Sequence, residues 1–183
     1  MLYNSALSGI SADGTHYFYT NPLRRTHDHE MDTTDQKVRA PYIPCLCCPP
    51  NLVRTIAKVS GWAYCLTENG VAVNLYGGNL LDTQLADGSG IKLTQETEYP
   101  WDGKIKLTLK SSGVFAVKLR SPYWAKGARL QVNGRKVACA DPAGYAEITR
   151  KWTADDTIEL DLPMHVKLLV ADYKMERQRG QAA

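Results

Sequence analysis

The sequence lacks any apolar run approaching the roughly 20 residues that a bilayer-spanning helix needs. No membrane partner is therefore expected. No leader is expected, since Leu2-Tyr3-Asn4-Ser5 has neither a basic start nor a long apolar stretch behind it. It lacks a charge excess: the net charge is +3, so no nucleic acid or anionic surface is expected as a partner. It has no internal repeat, no low-complexity tract, and none of the paired, spaced cysteines of a zinc finger. Phenylalanine is scarce, two residues against ten Tyr and four Trp. Most aromatic surface thus carries a polar edge, which suits sugars and interfaces as well as core packing. Unpaired cysteines without a leader fit a reducing cytoplasm. The remaining composition, 44% hydrophobic and 22% charged over 183 residues, has room for one large domain or a small domain plus a fragment.

What stands out is Cys45-Leu46-Cys47-Cys48-Pro49-Pro50-Asn51. Three of the five cysteines fall within four positions. Cys47 and Cys48 could pair with each other only through a strained ring, because neighbouring Cα atoms sit about 3.8 Å apart, below the usual disulfide span. An apolar helical pattern follows at once: Leu52, Val53, Ile56, Ala57 and Val59 form one stripe, Pro49-Pro50 suit the first turn, and Gly61 suits the C-terminal cap. Thiols at the positive end of a helix are reactive or metal-binding, so Cys47 and Cys48 read as a thiolate site. Zinc is the metal that fits such thiolates. The bland alternative, three cysteines buried near a helix end, fits poorly with a polar, proline-bracketed setting. Cys45-x-Cys47-Cys48 offers three sulfurs, in a spacing atypical of a zinc finger, and a fourth ligand would have to come from His27, His29, Glu30 or Asp32, none well spaced; that stretch reads as a solvated loop.

The rest of the chain divides by period. Leu2, Tyr3, Ala6, Leu7 and Ile10 repeat as a helix with no cap before it, Ser11 to Gly14 read as a turn, and His16 to Tyr19 as a short strand. From Trp62 onward the period is two. Strands are expected over 62–66, 71–76, 91–95, 104–110, 114–120, 129–132, 145–148, 157–162 and 166–170, with Asn69-Gly70 and Asn133-Gly134 as hairpin turns. Cys65 and Cys139 lie in strand-like sequence and read as core thiols. Many short strands between turns predict an antiparallel sandwich or barrel.

The cysteine string, with Leu2-Tyr3-Asn4-Ser5-Ala6-Leu7-Ser8-Gly9 and Tyr17-Phe18-Tyr19-Thr20-Asn21-Pro22-Leu23 before it, and Asn74-Leu75-Tyr76 and Ser121-Pro122-Tyr123-Trp124 after it, resembles glycoside hydrolase family 127, the β-L-arabinofuranosidases. The resemblance implies a mainly β chain: an antiparallel β-sandwich over 63–183, preceded over 1–62 by remnant helices and a loop from an (α/α)6 catalytic barrel. It implies a retaining hydrolase that releases terminal L-arabinofuranose from an arabinofuranosyl-containing oligosaccharide, with Zn2+ as cofactor. By motif position Cys47 is the nucleophile and a zinc ligand, Cys48 a second zinc ligand, and Tyr19 a substrate contact. Cys45 matches a family cysteine to which no role is attached. The family's Glu-x-Cys ligand pair and its acid/base glutamate fall before Met1, so the isolated chain is expected to be inactive.

Two rival readings stand beside that one. The β part is a free-standing carbohydrate-binding module using Trp101, Tyr123 or Trp124, or the cysteines form a structural zinc knuckle. Exposed apolar stripes before residue 62 would also invite homodimerisation. Stability should reside in the β part, with residues 1–62 loose. Limited proteolysis should therefore cut first within residues 1–60; early cuts within the strands, with that segment resistant, would contradict the expectation.

Overall fold

The computed structural model describes residues 6–19, 38–139, 143–168, 170 and 172–174. The chain is mainly β, with two antiparallel-rich sheets and, among the described residues, one α-helix. It divides into two compact units, Met1–Trp62 and Ala63–Ala183.

In the first unit Leu7–Gly9 is a single 3-10 turn, and Leu2 and Tyr3 lie outside the described residues. The turn expected at residues 11–14 is present: the Ser11 hydroxyl accepts the backbone N–H groups of Thr15 and His16. The strand expected over residues 16–19 contracts to one bridging residue. Tyr17 pairs antiparallel with Ile10 on one side and Ala40 on the other. Helix α1, Cys48–Trp62, starts where the prolines placed it, because a proline in the first turn forfeits no hydrogen bond. Its apolar stripe stands largely uncovered, in line with the exposed stripes expected before residue 62. Leu52 and Val59 are half-buried, Val53, Ile56 and Trp62 are exposed, and no helix residue is buried. Gly61 sits inside the last turn rather than in a left-handed cap.

Among the described residues the second unit holds ten strands: β1 Tyr64–Thr67, β2 Gly70–Val73, β3 Asn79–Gln84, β4 Gly90–Thr97, β5 Lys104–Leu109, β6 Gly113–Arg120, β7 Arg129–Val132, β8 Arg135–Val137, β9 Tyr145–Trp152 and β10 Thr157–Asp161. They form a four-stranded sheet, β1-β2-β6-β9, and a six-stranded sheet, β3-β4-β5-β10-β7-β8. Every pairing is antiparallel except β2 with β6, which run parallel. One core takes side chains from both sheets: Val71, Val73, Phe115 and Trp152 from the first, Leu93, Leu107, Leu130 and Ile158 from the second. The alternation in β4, β5 and β10 is what fills it. Apolar residues point inward, and Lys, Thr and Glu point to water. Trp152, fully buried, stacks at 6.1 Å on Phe115 and donates its indole N–H to the Phe115 carbonyl.

Four expectations change. The first hairpin turns on Glu68-Asn69, with Gly70 already paired in β2. Gly70 is required by close approach rather than by the turn, because a Cβ there would lie 1.9 Å from the Ala116 carbonyl oxygen. Asn133 and Gly134, by contrast, both take positive φ as an Asn-Gly hairpin demands. Strand 166–170 does not form among the described residues, and Val166, Leu168 and Val170 are exposed. Cys65 points to solvent from β1 instead of into the core, while Cys139 is half-buried at its edge.

Because Trp152 fills the centre of the core, Trp152→Ala should cost about 3–5 kcal/mol in urea unfolding. Val114→Ala, on the same sheet but exposed, should stay within about 0.5 kcal/mol. Equal losses would mean that Trp152 does not fill the core.

Candidate metal and nucleophile site

Residues 38–47 carry the chain in extended and bent conformation to the start of α1, anchored by buried Ala40 and Ile43. Pairing with Tyr17 fixes Ala40, through backbone hydrogen bonds of 2.9 and 2.8 Å. Arg39 holds the adjoining turn: its guanidinium donates to the Ser8 carbonyl at 2.6 Å and lies 4.8 Å over the Phe18 ring. Where the extended segment becomes helix, the backbone turns sharply and gathers three sulfurs. Cys45 Sγ lies 3.1 Å from Cys47 Sγ, and Cys47 Sγ lies 3.5 Å from Cys48 Sγ. All three fall within 4.8 Å of one another.

The cluster brings together Cys47 and Cys48, as their adjacency implied, and adds Cys45. No ligand role had been attached to that residue. The signal that would have found it is its spacing: residues i and i+2 share a side in extended chain, and the helix start then folds i+3 back beside them. Tyr19 also arrives here, its hydroxyl near enough to the Cys45 thiol for each to perturb the other's titration. His27, His29, Glu30 and Asp32 lie outside the described residues. Among the described residues no carboxylate or imidazole joins the three sulfurs. In the second unit Trp101 and Tyr123 are exposed, while Trp124 packs half-buried against the core edge.

Crowding divides the thiols. Cys45 is pulled below its ordinary value, first because the backbone N–H of Cys47 stabilises its thiolate, then because the Cys47 thiol donates to it. Cys47 is pushed up to about 11, first because it donates its proton to Cys45, then to Cys48. Tyr19 is raised as well, chiefly by negative charge on Cys45 and then Cys48. A helix start was expected to lower the Cys47 pKa; the neighbouring sulfurs outweigh the dipole, whose effect is about 0.3–1 kcal/mol at an exposed site. A cation reverses this order, because a coordinated thiol is deprotonated outright.

The donor set fits zinc. Sulfurs at about 2.3 Å from one tetrahedral ion stand roughly 3.8 Å apart; the separations of 3.1 and 3.5 Å along the cluster are somewhat shorter, so a bound ion would spread the sulfurs slightly. Alkylation of the metal-free chain, read by mass spectrometry, should label Cys45 at lower pH than Cys47. Cys45→Ser should then bring Cys47 labelling to lower pH, since its strongest proton acceptor is gone. Cys47 labelling first, or unaffected by that substitution, would contradict the shared-proton arrangement.

Comparison with known proteins accords with this geometry. The profile described as β-L-arabinofuranosidase, GH127 middle domain, matches residues 70–164, and the GH127 catalytic-domain profile matches residues 1–61. A non-reducing end β-L-arabinofuranosidase from Bifidobacterium longum is 31% identical over the whole chain, which spans 29% of that relative's length. A solved structure titled glycoside hydrolase superposes with a TM-score of 0.91 at 44% identity, over 99% of this chain and 30% of that one. The GH127 β-L-arabinofuranosidase of Geobacillus stearothermophilus T6 gives 0.89 at 37% identity, over 100% of this chain and 30% of its own. The chain belongs to the GH127 β-L-arabinofuranosidase family and spans about three-tenths of the length of these relatives.

Proposed function

We propose that this chain carries the nucleophile half of a retaining β-L-arabinofuranosidase site, with Cys47 as nucleophile, Cys47 and Cys48 as Zn2+ ligands, and Tyr19 as a sugar contact. The single observation that carries the reading is the packing of three sulfurs at the start of α1 in a GH127 chain. Zinc, when bound, keeps the thiols deprotonated at neutral pH. Cys47 Sγ then attacks the anomeric carbon as the glycosidic C–O bond breaks, and water later displaces the sulfur with overall retention. Tyr19, beside the sulfurs, is placed to hydrogen-bond a sugar hydroxyl.

The leaving oxygen needs a proton, and the water needs a base. Among the described residues no carboxylate accompanies the cysteines, so the isolated chain binds zinc but does not turn over. In the same reading, residues 1–62 are the last part of a helical catalytic barrel and 63–183 a β-sandwich. The substrate is an arabinofuranosyl-containing oligosaccharide met in the cytoplasm. The exposed Val53, Ile56 and Trp62 of α1 support a homodimer of the isolated chain.

The test is hydrolysis of nitrophenyl β-L-arabinofuranoside by the purified 183-residue chain, with zinc content measured in the same preparation. Expected are near-stoichiometric zinc, lost in Cys47→Ser and Cys48→Ser, and no turnover above background. Robust turnover would overturn the missing-partner part; absence of zinc at saturating metal would overturn the ligand assignment.

A further inference from the structure

The outer face of the six-stranded sheet carries charged and amide side chains over its middle strands. A cavity of about 400 Å3 lies over its four central strands, β4, β5, β10 and β7. That volume is within the range of ligand sites, roughly 300–1,000 Å3. Register places its lining in two rows. Glu96 faces Lys106, Lys106 faces Glu159, and Glu159 faces Gln131. In the second row Lys104 faces Asp161, which faces Arg129. Strands stand about 4.8 Å apart, so donors and acceptors alternate along each row at that spacing.

Two features distinguish this face from a ladder of self-satisfied ion pairs. Only Arg129–Asp161 is a close pair, at 2.6 Å; Lys106–Glu96 sits at 4.0 Å. Lys104, Gln131 and Glu159 hold no side-chain hydrogen bond or ion pair among the described residues, although each lines the cavity. Its three cations and three carboxylates also cancel, so the cavity attracts neither anions nor cations strongly.

We propose that this cavity is a binding site for a neutral oligosaccharide, whose hydroxyls, each both donor and acceptor, bridge the alternating groups of the two rows. Carboxylates accept from sugar hydroxyls, and Lys104 and the Gln131 amide donate to them. A phosphorylated or uronate chain would leave Glu96 and Glu159 facing like charge. The site lies wholly within the second unit and does not depend on the cysteine assignment.

Backbone amide NMR of the intact chain, titrated with arabinotriose and separately with trigalacturonate, tests it. Arabinotriose should produce saturable shifts centred on Lys106, Gln131 and Glu159. Glu159→Ala should weaken binding about tenfold, the effect of losing a hydrogen bond to a charged group. Lys104→Ala, at an exposed position that the fold does not need, should weaken it in the same direction. Cys47→Ser should leave it unchanged, so that failure here and failure of the cysteine site are read separately. No saturable shift, tighter binding of trigalacturonate, or shifts centred on Trp101 and Tyr123 would each overturn the proposal.

Discussion

Three thiols held within contact distance resist losing all their protons together unless a cation joins them. That constraint shapes the first unit. Without a metal, Cys47 donates its proton toward Cys45 and Cys48 and is pushed up to about 11, while Cys45 gives its own up more readily. The free cluster therefore keeps Cys47, the proposed nucleophile, in its protonated form. Backbone geometry creates the problem, because Ala40 is pinned by Tyr17 and the prolines force α1 to begin at Cys48. A metal resolves it, replacing hydrogen bonds between sulfurs with bonds to one ion.

The second unit is built on a different principle. Its stability comes from one apolar layer between two sheets, with Trp152 and Phe115 at its centre. The outer face of the six-stranded sheet contributes little to that layer and is free to carry alternating polar chemistry. The parallel β2–β6 pair is the one irregularity in the pairing, and it explains why Gly70 must lack a side chain.

Strands with strict alternation, β4, β5 and β10, were legible because one face of each meets the core and the other meets water. β3 and β8 were not. Asn79–Gln84 and Arg135–Val137 are the two edge strands of their sheet and bury too little to show a period. The opposite error, a strand over 166–170, arose because Val166, Leu168 and Val170 alternate like a buried strand while standing exposed. At the cysteines, adjacency made Cys47 and Cys48 legible as a site. The i, i+2 spacing of Cys45 and Cys47 carried the third sulfur as well, whereas the inversion of the expected thiol order follows from close contacts that spacing alone does not disclose.

The most direct measurement is cobalt(II) titration of the reduced chain, followed by absorption spectroscopy and proton release. If Cys47 and Cys48 coordinate one ion with sulfur at the start of α1, intense sulfur-to-cobalt charge-transfer bands and tetrahedral d–d bands should appear together. Protons should be released in step, and Cys47→Ser should reduce both signals. A weak octahedral spectrum without charge transfer or proton release would contradict the metal–thiolate centre.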